Sequence, residues 1–395
     1  MRNSVFIILI VLFSCSQQQQ FNPFFQQENS TLFERKVDLK PVGNAIFKLD
    51  KKTRFITNSI SATYKTEEEI VSFLNSDNQT IEIFNYKSGE KISEIKLDQE
   101  GPNGVGNIGY SSAHYFHNED SIFVYNRQTS PIFLLDRNGK VLNKFKITDY
   151  SDPSNIPVPN SMTLSPIHFL EGQLFLTCAL KNYEEDFSGY PSLLSLNIKD
   201  GKVKYLATLP SIYSAAFWGA YFKYDPSMTI DHINHQLVLS YPVDHFIYTK
   251  NLKSGVEDKH FIGSEFIAEI LPYESDPAFF LSRNPKERDE KENIHSFSTS
   301  EYRGIIFDKN RNVYYRLALI RPSKEKVLQG DKEFSFSIII MDENFKKIGE
   351  NLFSTKIYDP STIFLTSEGL NFFRKDIYEQ DEDIIQFEIF APLSR

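Results

Sequence analysis

A pair of short hairpins that recurs along the chain constrains the fold more than any other feature of the sequence. One kind, two strand-like runs joined by a polar turn, occurs at 80–97, 131–147, 192–209, 245–262 and 337–353. A second kind precedes each of these, at 61–74 (a weaker version), 113–126, 167–180, 230–241 and 304–319, and occurs once more at 363–375. Short runs rich in β-branched and aromatic residues and bounded by turn residues are typical of strands. No amphipathic pattern of helical period extends over 12 or more residues, so the sequence predicts an all-β fold.

Two hairpins per repeat make a four-stranded sheet, and the unit recurs about every 50 to 60 residues. Repeats of this length and content indicate the blades of a β-propeller. Five units are complete, and a sixth lacks only its outer strand. The N-terminal run 32–39 is available as that strand, and its pairing with the last blade closes the ring and removes a free sheet edge. We therefore expect residues 32–395 to form one six-bladed β-propeller of four-stranded blades.

The long interval between the hairpins at 245–262 and 337–353 leaves a seven-bladed ring open as an alternative. Its part 271–300 is charged and rich in turn residues, and it contains no matching hairpin. This composition favours an insertion between two blades over a seventh blade.

The N terminus has the organisation of an export signal. Arg2 is followed by an apolar run at 5–13, which is too short to span a bilayer stably. The motif Leu12-Phe13-Ser14-Cys15 resembles the lipobox of bacterial lipoproteins, in which the cysteine is acylated with diacylglycerol and the signal is cut before it. The resemblance implies a signal peptide at 1–14 and a membrane anchor through lipid on Cys15. A generic signal peptide with an incidental cysteine is the alternative.

The segment 15–31 is polar and repetitive, which is typical of a flexible tether. Lipoproteins that Bacteroidota export to the cell surface resemble one another in carrying an acidic cluster just after the lipidated cysteine. Here Ser and Gln occupy most of those positions, and the first acidic residue is Glu28. The comparison implies an anchor on the outer membrane that faces the periplasm.

The charge of the chain limits the kinds of molecule that it can bind, and its cysteine content limits the disulfides that it can form. The net charge is −9 and the isoelectric point is near 5.5, which argues against nucleic acid because phosphate binding needs a basic surface. The only cysteine besides Cys15 is Cys178, in a strand-like run. If Cys15 carries lipid, Cys178 has no partner for a disulfide and is expected to be a small buried apolar side chain. We expect the protein to be a monomer.

The segment 98–109 (DQEGPNGVGNIG) resembles the G-x-G-P-G element of six-bladed propeller lipoproteins common in Bacteroidota, and the hairpin at 131–147 resembles NHL-type blades. The resemblance spans most of 32–395 and implies an architecture without an assigned activity. Asn103 stands where the family often has Gly, which implies a different conformation of that loop. By itself, GPNGVG is interpreted as a structural turn.

Loop length points to one face of the propeller. The turns inside the hairpins are about two to five residues long and lie on one face, whereas the other connections are long and lie on the opposite face. Long loops on a rigid scaffold commonly carry function. The loop 211–225 contains the only tryptophan, and four of its aromatic residues are predicted to bind a ligand at the channel mouth: Tyr213, Trp218, Tyr221 and Tyr224. The alternative is that these rings plug the channel or pack beneath neighbouring loops.

Catalytic and metal-binding patterns are weak. The sequence has no zinc signature, no G-x-S-x-G and no phosphate-binding glycine loop, and no catalytic or metal-ligating residue is assigned. Asp231, His232 and His235 fall at a short hairpin turn on the face away from the long loops, so they are interpreted as chance surface residues. His114 and His117 are interpreted in the same way, although an inner strand could direct His114 into the channel. No cofactor is predicted, while a central Ca²⁺ held by oxygens from separate blades stays open.

Two functions fit these observations. The first is a lipid-anchored binding or scaffold protein of the cell envelope, which holds a protein, peptide or glycan on the long-loop face. The second is a metal-dependent hydrolase or lactonase with its site at the channel mouth. Propellers host both kinds of function.

Overall fold

The computed structural model describes residues 33–49, 55, 57–64, 68–147, 156–181, 187, 189–273 and 285–395. Within them, the strands form six antiparallel sheets. Five sheets are built from strands that follow one another along the chain, and the sixth combines the last three strands with the first. The prediction of an all-β, six-bladed propeller is therefore confirmed.

The strands are numbered in the order in which they occur along the chain. The first strand, β1 (Val37–Lys48), precedes blade 1, which consists of β2 (Ile60–Tyr64), β3 (Glu69–Asn75), β4 (Thr80–Asn85) and β5 (Lys91–Lys96). Blade 2 consists of β6 (Ala113–Asn118), β7 (Ser121–Tyr125), β8 (Ile132–Leu135) and β9 (Val141–Phe145). Blade 3 consists of β10 (Val158–Pro159), β11 (His168–Leu170), β12 (Gln173–Ala179), β13 (Pro191–Asn197) and β14 (Val203–Thr208). It has a fifth strand because the short β10 pairs with the end of β12.

The remaining blades follow the same order. Blade 4 consists of β15 (Ser227–Asp231), β16 (Gln236–Ser240), β17 (Phe246–Asn251) and β18 (Glu257–Phe261). Blade 5 consists of β19 (Glu301–Asp308), β20 (Val313–Ile320), β21 (Ser335–Met341) and β22 (Lys347–Ser354). Blade 6 consists of β23 (Tyr358–Leu365), β24 (Leu370–Arg374), β25 (Ile384–Ser394) and β1.

The N-terminal strand closes blade 6, as predicted, but it lies later in the chain than expected. β1 pairs antiparallel with β25 from Val37 opposite Ser394 to Lys48 opposite Ile384, whereas the sequence placed this strand at 32–39. The register shifts between Pro41 and Gly43, which marks a bulge. Proline and glycine are tolerated at a bulge in an edge strand, so residues that look like a turn in the sequence lie inside the strand.

In the described part of the chain, four helices lie between the strands: α1 (Ile212–Ala215), α2 (Pro285–Ser298), α3 (Lys324–Leu328) and α4 (Lys375–Tyr378), with a 3-10 turn at Tyr221–Tyr224. The helix α2 has 14 residues and was not predicted from the sequence, because 271–300 shows no amphipathic pattern and is charged and rich in turn residues. Its sequence is charged rather than amphipathic, and the helix begins at Pro285, a residue type that is common at the first helical position. The described part of the insertion between blades 4 and 5 contributes this helix and no blade strands.

The turn element of 98–109 has a structural role. The Val105 and Ile108 side chains are buried in the core between blades 1 and 2, and the Asn126 side-chain amide donates to the Val105 carbonyl at 2.8 Å. Asn103 accepts a hydrogen bond from the backbone amide of Val141 at 3.2 Å. Asparagine at this position therefore ties the loop to the outer strand of blade 2, a contact that glycine has no side chain to make.

Candidate functional site

The innermost strands of all six blades surround a central cavity of about 770 Å³. The cavity reaches the hairpin turns that follow these strands, the face that we call the short-turn face. The opposite side, where the blades are connected, is called the long-loop face. Most of the lining residues named below come from β2, β6, β11, β15, β19 and β23 and from the turns that follow them, while Thr163 precedes β11 and Glu69 begins β3.

The segment that leads into blade 3 forms the floor of the cavity on the long-loop side. Thr163 lines the cavity and is 4% exposed. Its backbone amide donates to the carbonyl of Asn58 at 2.9 Å, and its hydroxyl accepts from the backbone amide of Ile60 at 3.1 Å. Leu164 reaches across to blade 5, where a Cβ added at Gly304 would lie 3.2 Å from the Leu164 side chain. The cavity is therefore a pocket that opens on the short-turn face.

One side of the pocket is aromatic. Tyr115 and His117 lie two positions apart on the same side of β6, and their ring centroids are 6.0 Å apart. The His117 ring lies 4.7 Å from the ring of Phe169 on blade 3. The buried ring of Phe123 stacks behind Tyr115 and Phe169 at 6.5 and 6.0 Å. Tyr115, His117 and Phe169, which we call the aromatic wall, are each partly exposed and line the cavity.

The other side is aliphatic. Ala62 on blade 1, Ile306 on blade 5 and Leu365 on blade 6 line the cavity and are partly exposed. We call these three residues the aliphatic wall. Since the aromatic wall comes from blades 2 and 3, the pocket offers two chemically different sides to a ligand.

Polar side chains surround the opening. His232, Lys309 and Asn310 are exposed at the turns of blades 4 and 5. On the far side, the Glu69 carboxylate accepts hydrogen bonds from the backbone amide of Ser367 at 2.8 Å and from its hydroxyl at 2.6 Å, which joins blade 1 to blade 6. These five residues, which we call the rim, carry one ammonium and one carboxylate.

The histidines of the pocket are neutral near pH 7. Burial lowers the pKa of His117. Burial, with a smaller contribution from His232, lowers the pKa of His168 to about 4. The pKa of His232 is lowered as well, because neighbouring atoms remove part of the water around its ring although the residue is exposed at the rim, and Lys309 adds to the effect. Since each shift favours the uncharged ring, the rim has no excess of positive charge near neutral pH.

His114 does not point into the cavity, although the sequence left that role open. Its Nδ1 lies 2.9 Å from the Ser59 hydroxyl and its Nε2 2.8 Å from the Ser72 hydroxyl, and all three side chains are buried. Side chains alternate along a strand, so His114 faces blade 1 while Tyr115 and His117 face the channel. Burial lowers the pKa of His114 to about 3. The arrangement joins two blades and is sealed from solvent.

Three of the four aromatic residues predicted to bind a ligand are buried. Tyr213, Trp218 and Tyr224 are exposed by 2%, 0% and 0%, and they pack together in one core cluster. The Trp218 indole donates to the Ile212 carbonyl at 3.1 Å. Only Tyr221, which is 47% exposed, offers its ring to solvent. The expectation that all four rings line an open channel mouth is corrected, because the loop folds back on its own core.

The insertion between blades 4 and 5 covers this loop. The backbone amide of Tyr273 donates to the Phe217 carbonyl at 2.8 Å. Gly219 has φ of +79°, and a Cβ at this residue would lie 3.2 Å from both His295 on α2 and Tyr273. The long loops of this region therefore pack on one another, which explains why their aromatic rings are buried.

The remaining sequence candidates have structural surroundings. Asp231 is 1% exposed, and its carboxylate accepts hydrogen bonds from the backbone amides of Ile233 and Asn234 and from the Tyr314 hydroxyl at 2.8 to 3.0 Å. His235 has φ of +51° in the same turn. Cys178 is buried and unpaired, as expected. Cys15 lies outside the described residues.

His232 and His117 are the functional candidates that the sequence placed on the surface without a role. Their position along the inner strands could have identified them. His117 lies near the end of the first strand of blade 2, and His232 directly follows the first strand of blade 4. In the described part of the chain, no three His, Cys, Asp or Glu side chains are placed to share a metal ion. Among the same residues, no helix is long and apolar enough to cross a membrane.

Comparisons with known proteins identify relatives of the fold. A family model described as a domain of unknown function (DUF4221) matches residues 39–352. A crystal structure of a member of that family from Bacteroides vulgatus is 19% identical, with a TM-score of 0.77 over 92% of this chain and 100% of that chain. A Bacteroides fragilis protein described as presumed to be exported is 12% identical, with a TM-score of 0.53 over 91% of this chain and 95% of that chain. No curated protein matches the chain.

Proposed function

The chain belongs to the family of the domain of unknown function DUF4221, and we propose that it is a lipid-anchored binding protein of the bacterial cell envelope. The family name carries no activity, so the proposal rests on this chain's own residues. The bound species is a small ligand, or the end of a peptide or glycan chain, held in the central cavity at the short-turn face.

The cavity itself is the observation that supports binding. A volume of about 770 Å³ lies within the range of roughly 300 to 1,000 Å³ that is usual for small-molecule sites. Thr163 lines its end on the long-loop side, with Leu164 next to it packed against Gly304 of blade 5, and its two walls differ in chemistry. A preformed pocket with apolar walls and a few polar groups at its opening favours capture of one ligand orientation.

The sequence around Cys15 supports the anchor, and the name of the Bacteroides fragilis neighbour supports export. A lipid on Cys15 would hold the propeller on a membrane through the tether at 15–31. The absence of acidic residues just after Cys15 supports an outer-membrane anchor that faces the periplasm.

A hydrolase or lactonase function gains no support from the described side chains. No described group of His, Cys, Asp or Glu side chains is arranged to hold a metal ion. The Ser59–His114–Ser72 arrangement, which resembles an activated hydroxyl, is buried and is not among the cavity-lining residues.

Filling the pocket tests the proposed site. Ala62→Trp places a large ring against the aliphatic wall and should prevent binding, with Ile306→Phe as a second filling variant. Tyr221→Ala, which changes an exposed ring on the long-loop face, is the matched control. The full chain is screened by melting temperature against free sugars, amino acids and dipeptides. A ligand at a hundred times its Kd should stabilise the native protein by about 2.7 kcal/mol.

We expect at least one compound to raise the melting temperature of the wild type and of Tyr221→Ala, and to leave the filled variants unchanged. A shift that survives filling but disappears in Tyr221→Ala would move the site to the long-loop face and contradict the proposal.

A further inference from the structure

The chemistry of the cavity walls restricts the class of ligand. The aromatic wall places Tyr115, His117 and Phe169 side by side, with centroid distances of 6.0 and 4.7 Å between successive rings. Such a wall accepts a flat apolar face, either another aromatic ring or the C–H face of a pyranose sugar. The wall alone does not choose between these two.

The charge of the rim argues against an anionic aromatic compound. Lys309 and Glu69 are the charged residues among those that line the cavity, and they balance each other. The neutral rings of His117, His168 and His232 add no charge near pH 7. An anion would lose its hydration in the pocket without an excess of positive charge to replace it, which is unfavourable. A neutral ligand incurs no such loss.

The polar groups of the rim suit hydroxyl groups. Amide, imidazole, hydroxyl and ammonium groups stand together at the opening, from Asn310, His232, Ser367 and Lys309. They can donate and accept hydrogen bonds, as a polyhydroxylated ring requires. A purely apolar ring would place these polar groups against carbon without offering them new hydrogen bonds.

The aliphatic wall adds a preference among sugars. Ala62, Ile306 and Leu365 line the same cavity from blades 1, 5 and 6, and a sugar with hydroxyls at every position would place polar groups against them. A methyl group, as in an acetamido sugar or a 6-deoxy sugar, would fill this side instead. One methyl group in an apolar pocket changes affinity by roughly 10- to 200-fold.

We infer that the cavity binds a neutral, methyl-bearing sugar ring that stacks on the aromatic wall and hydrogen-bonds the rim. This assignment rests on the proposed binding function and names its ligand class. The same ring can be a free monosaccharide or the end of a glycan chain, and the shared chemistry is the neutral pyranose with its methyl group.

Calorimetric titration of the full chain tests the assignment, in a detergent that carries no sugar. The probes are N-acetylglucosamine, L-rhamnose, glucose, the β-1,4-linked trimer of N-acetylglucosamine, and benzoate. N-acetylglucosamine or rhamnose should bind at least tenfold more tightly than glucose and benzoate. A trimer that binds more tightly than its monomer indicates a glycan chain end, and equal affinities indicate a free sugar.

Single substitutions test whether the aromatic wall contributes to sugar binding and not only to folding. Phe169→Ala should weaken sugar binding at least tenfold, and His117→Ala serves the same purpose if Phe169→Ala does not fold. Tyr221→Ala, on the opposite face, should leave the affinity unchanged.

Binding of benzoate without binding of any sugar would overturn the sugar assignment and leave the cavity as a site for another ligand class. Sugar binding that survives both Phe169→Ala and Ala62→Trp would overturn the assignment and the proposed location together.

Discussion

Trp218 and Tyr221 lie three positions apart in one loop, yet the first is fully buried and the second is 47% exposed. The Trp218 backbone amide donates to the Tyr224 hydroxyl at 3.0 Å, and the indole donates to the Ile212 carbonyl at 3.1 Å. Both N–H groups of the tryptophan are thus paired within the loop. The side chain stabilises the loop and is not free to stack on a ligand.

Trp218→Ala should therefore lower the free energy of unfolding by about 3–5 kcal/mol, as expected when a large core aromatic side chain is removed. Tyr221→Ala, the neighbouring exposed ring, should change it by about 0.5 kcal/mol or less. Chemical denaturation of both variants measures the difference. Near-equal effects would show that burial in this loop does not determine stability.

The strand β1 shows how an element can be necessary for a whole fold. Its burial alternates near its end, so that Phe47 is fully buried and Ile46 is 46% exposed. The Phe47 ring contacts Phe73 and Phe84 of blade 1 at 5.5 and 5.4 Å and Phe387 of blade 6 at 6.0 Å. One side chain of the closing strand therefore joins the first and last blades.

Phe47→Ala should lower the free energy of unfolding by about 3–5 kcal/mol and increase light scattering on heating, because a loosened closing strand exposes the edge of β25. Ile46→Ala, one residue earlier on the exposed side, should have a small effect on both measurements. A ring whose stability is unchanged by Phe47→Ala would not depend on closure by β1.

Blades 4 and 5 are joined by a different device, a buried arginine. Arg316 on β20 is 0% exposed, and its guanidinium donates to the backbone carbonyls of Asp244, His245 and Ile262 at 2.6 to 2.9 Å. The guanidinium also lies 3.5 Å from the centroid of the Tyr302 ring. One side chain thus donates to several backbone carbonyls at the ends of the blade 4 strands, one of which, that of His245, also accepts from the backbone amide of Ile262 at 3.0 Å.

For the whole molecule, the direction of β1 relates the site to the proposed anchor. Phe390 of β25 pairs with Leu370, which directly follows the short turn of blade 6 at the cavity opening. Ser394 lies four residues further along β25 in the same direction, and it pairs with Val37, the first residue of β1. The strand β1 therefore begins on the short-turn side, and the proposed tether from Cys15 would join the domain on the face that the cavity reaches.

Cys15→Ser should abolish metabolic labelling by a fatty acid and leave the protein soluble or as an unprocessed precursor, because the sulfur that would carry the diacylglycerol is gone. Ser14→Ala, next to the cleavage site, should retain the label. Fractionation of membranes, with labelling of each variant, measures both outcomes. Membrane attachment and normal processing of Cys15→Ser would contradict the lipobox.

The sequence by itself determined the repeat, the number of blades and the closure by an N-terminal strand, because alternating side chains and turn residues are local properties. It also assigned Cys178 to the core and 98–109 to a structural turn. It misplaced β1, since Pro41 and Gly43 look like a turn and only pairing with β25 shows a bulge. It also missed the helix α2, whose charged residues carry no apolar period.

Only the tertiary structure decided where the site lies. A cavity wall is made by single residues from six blades that are far apart in the chain, so no local pattern joins Ala62, His117 and Ile306. Loop length favoured the long-loop face, but the length of a loop does not reveal whether it packs on itself, as Trp218 and its neighbours do. The pocket on the opposite face arises because the inner strands meet around one axis, which is a property of the closed ring and of no single blade.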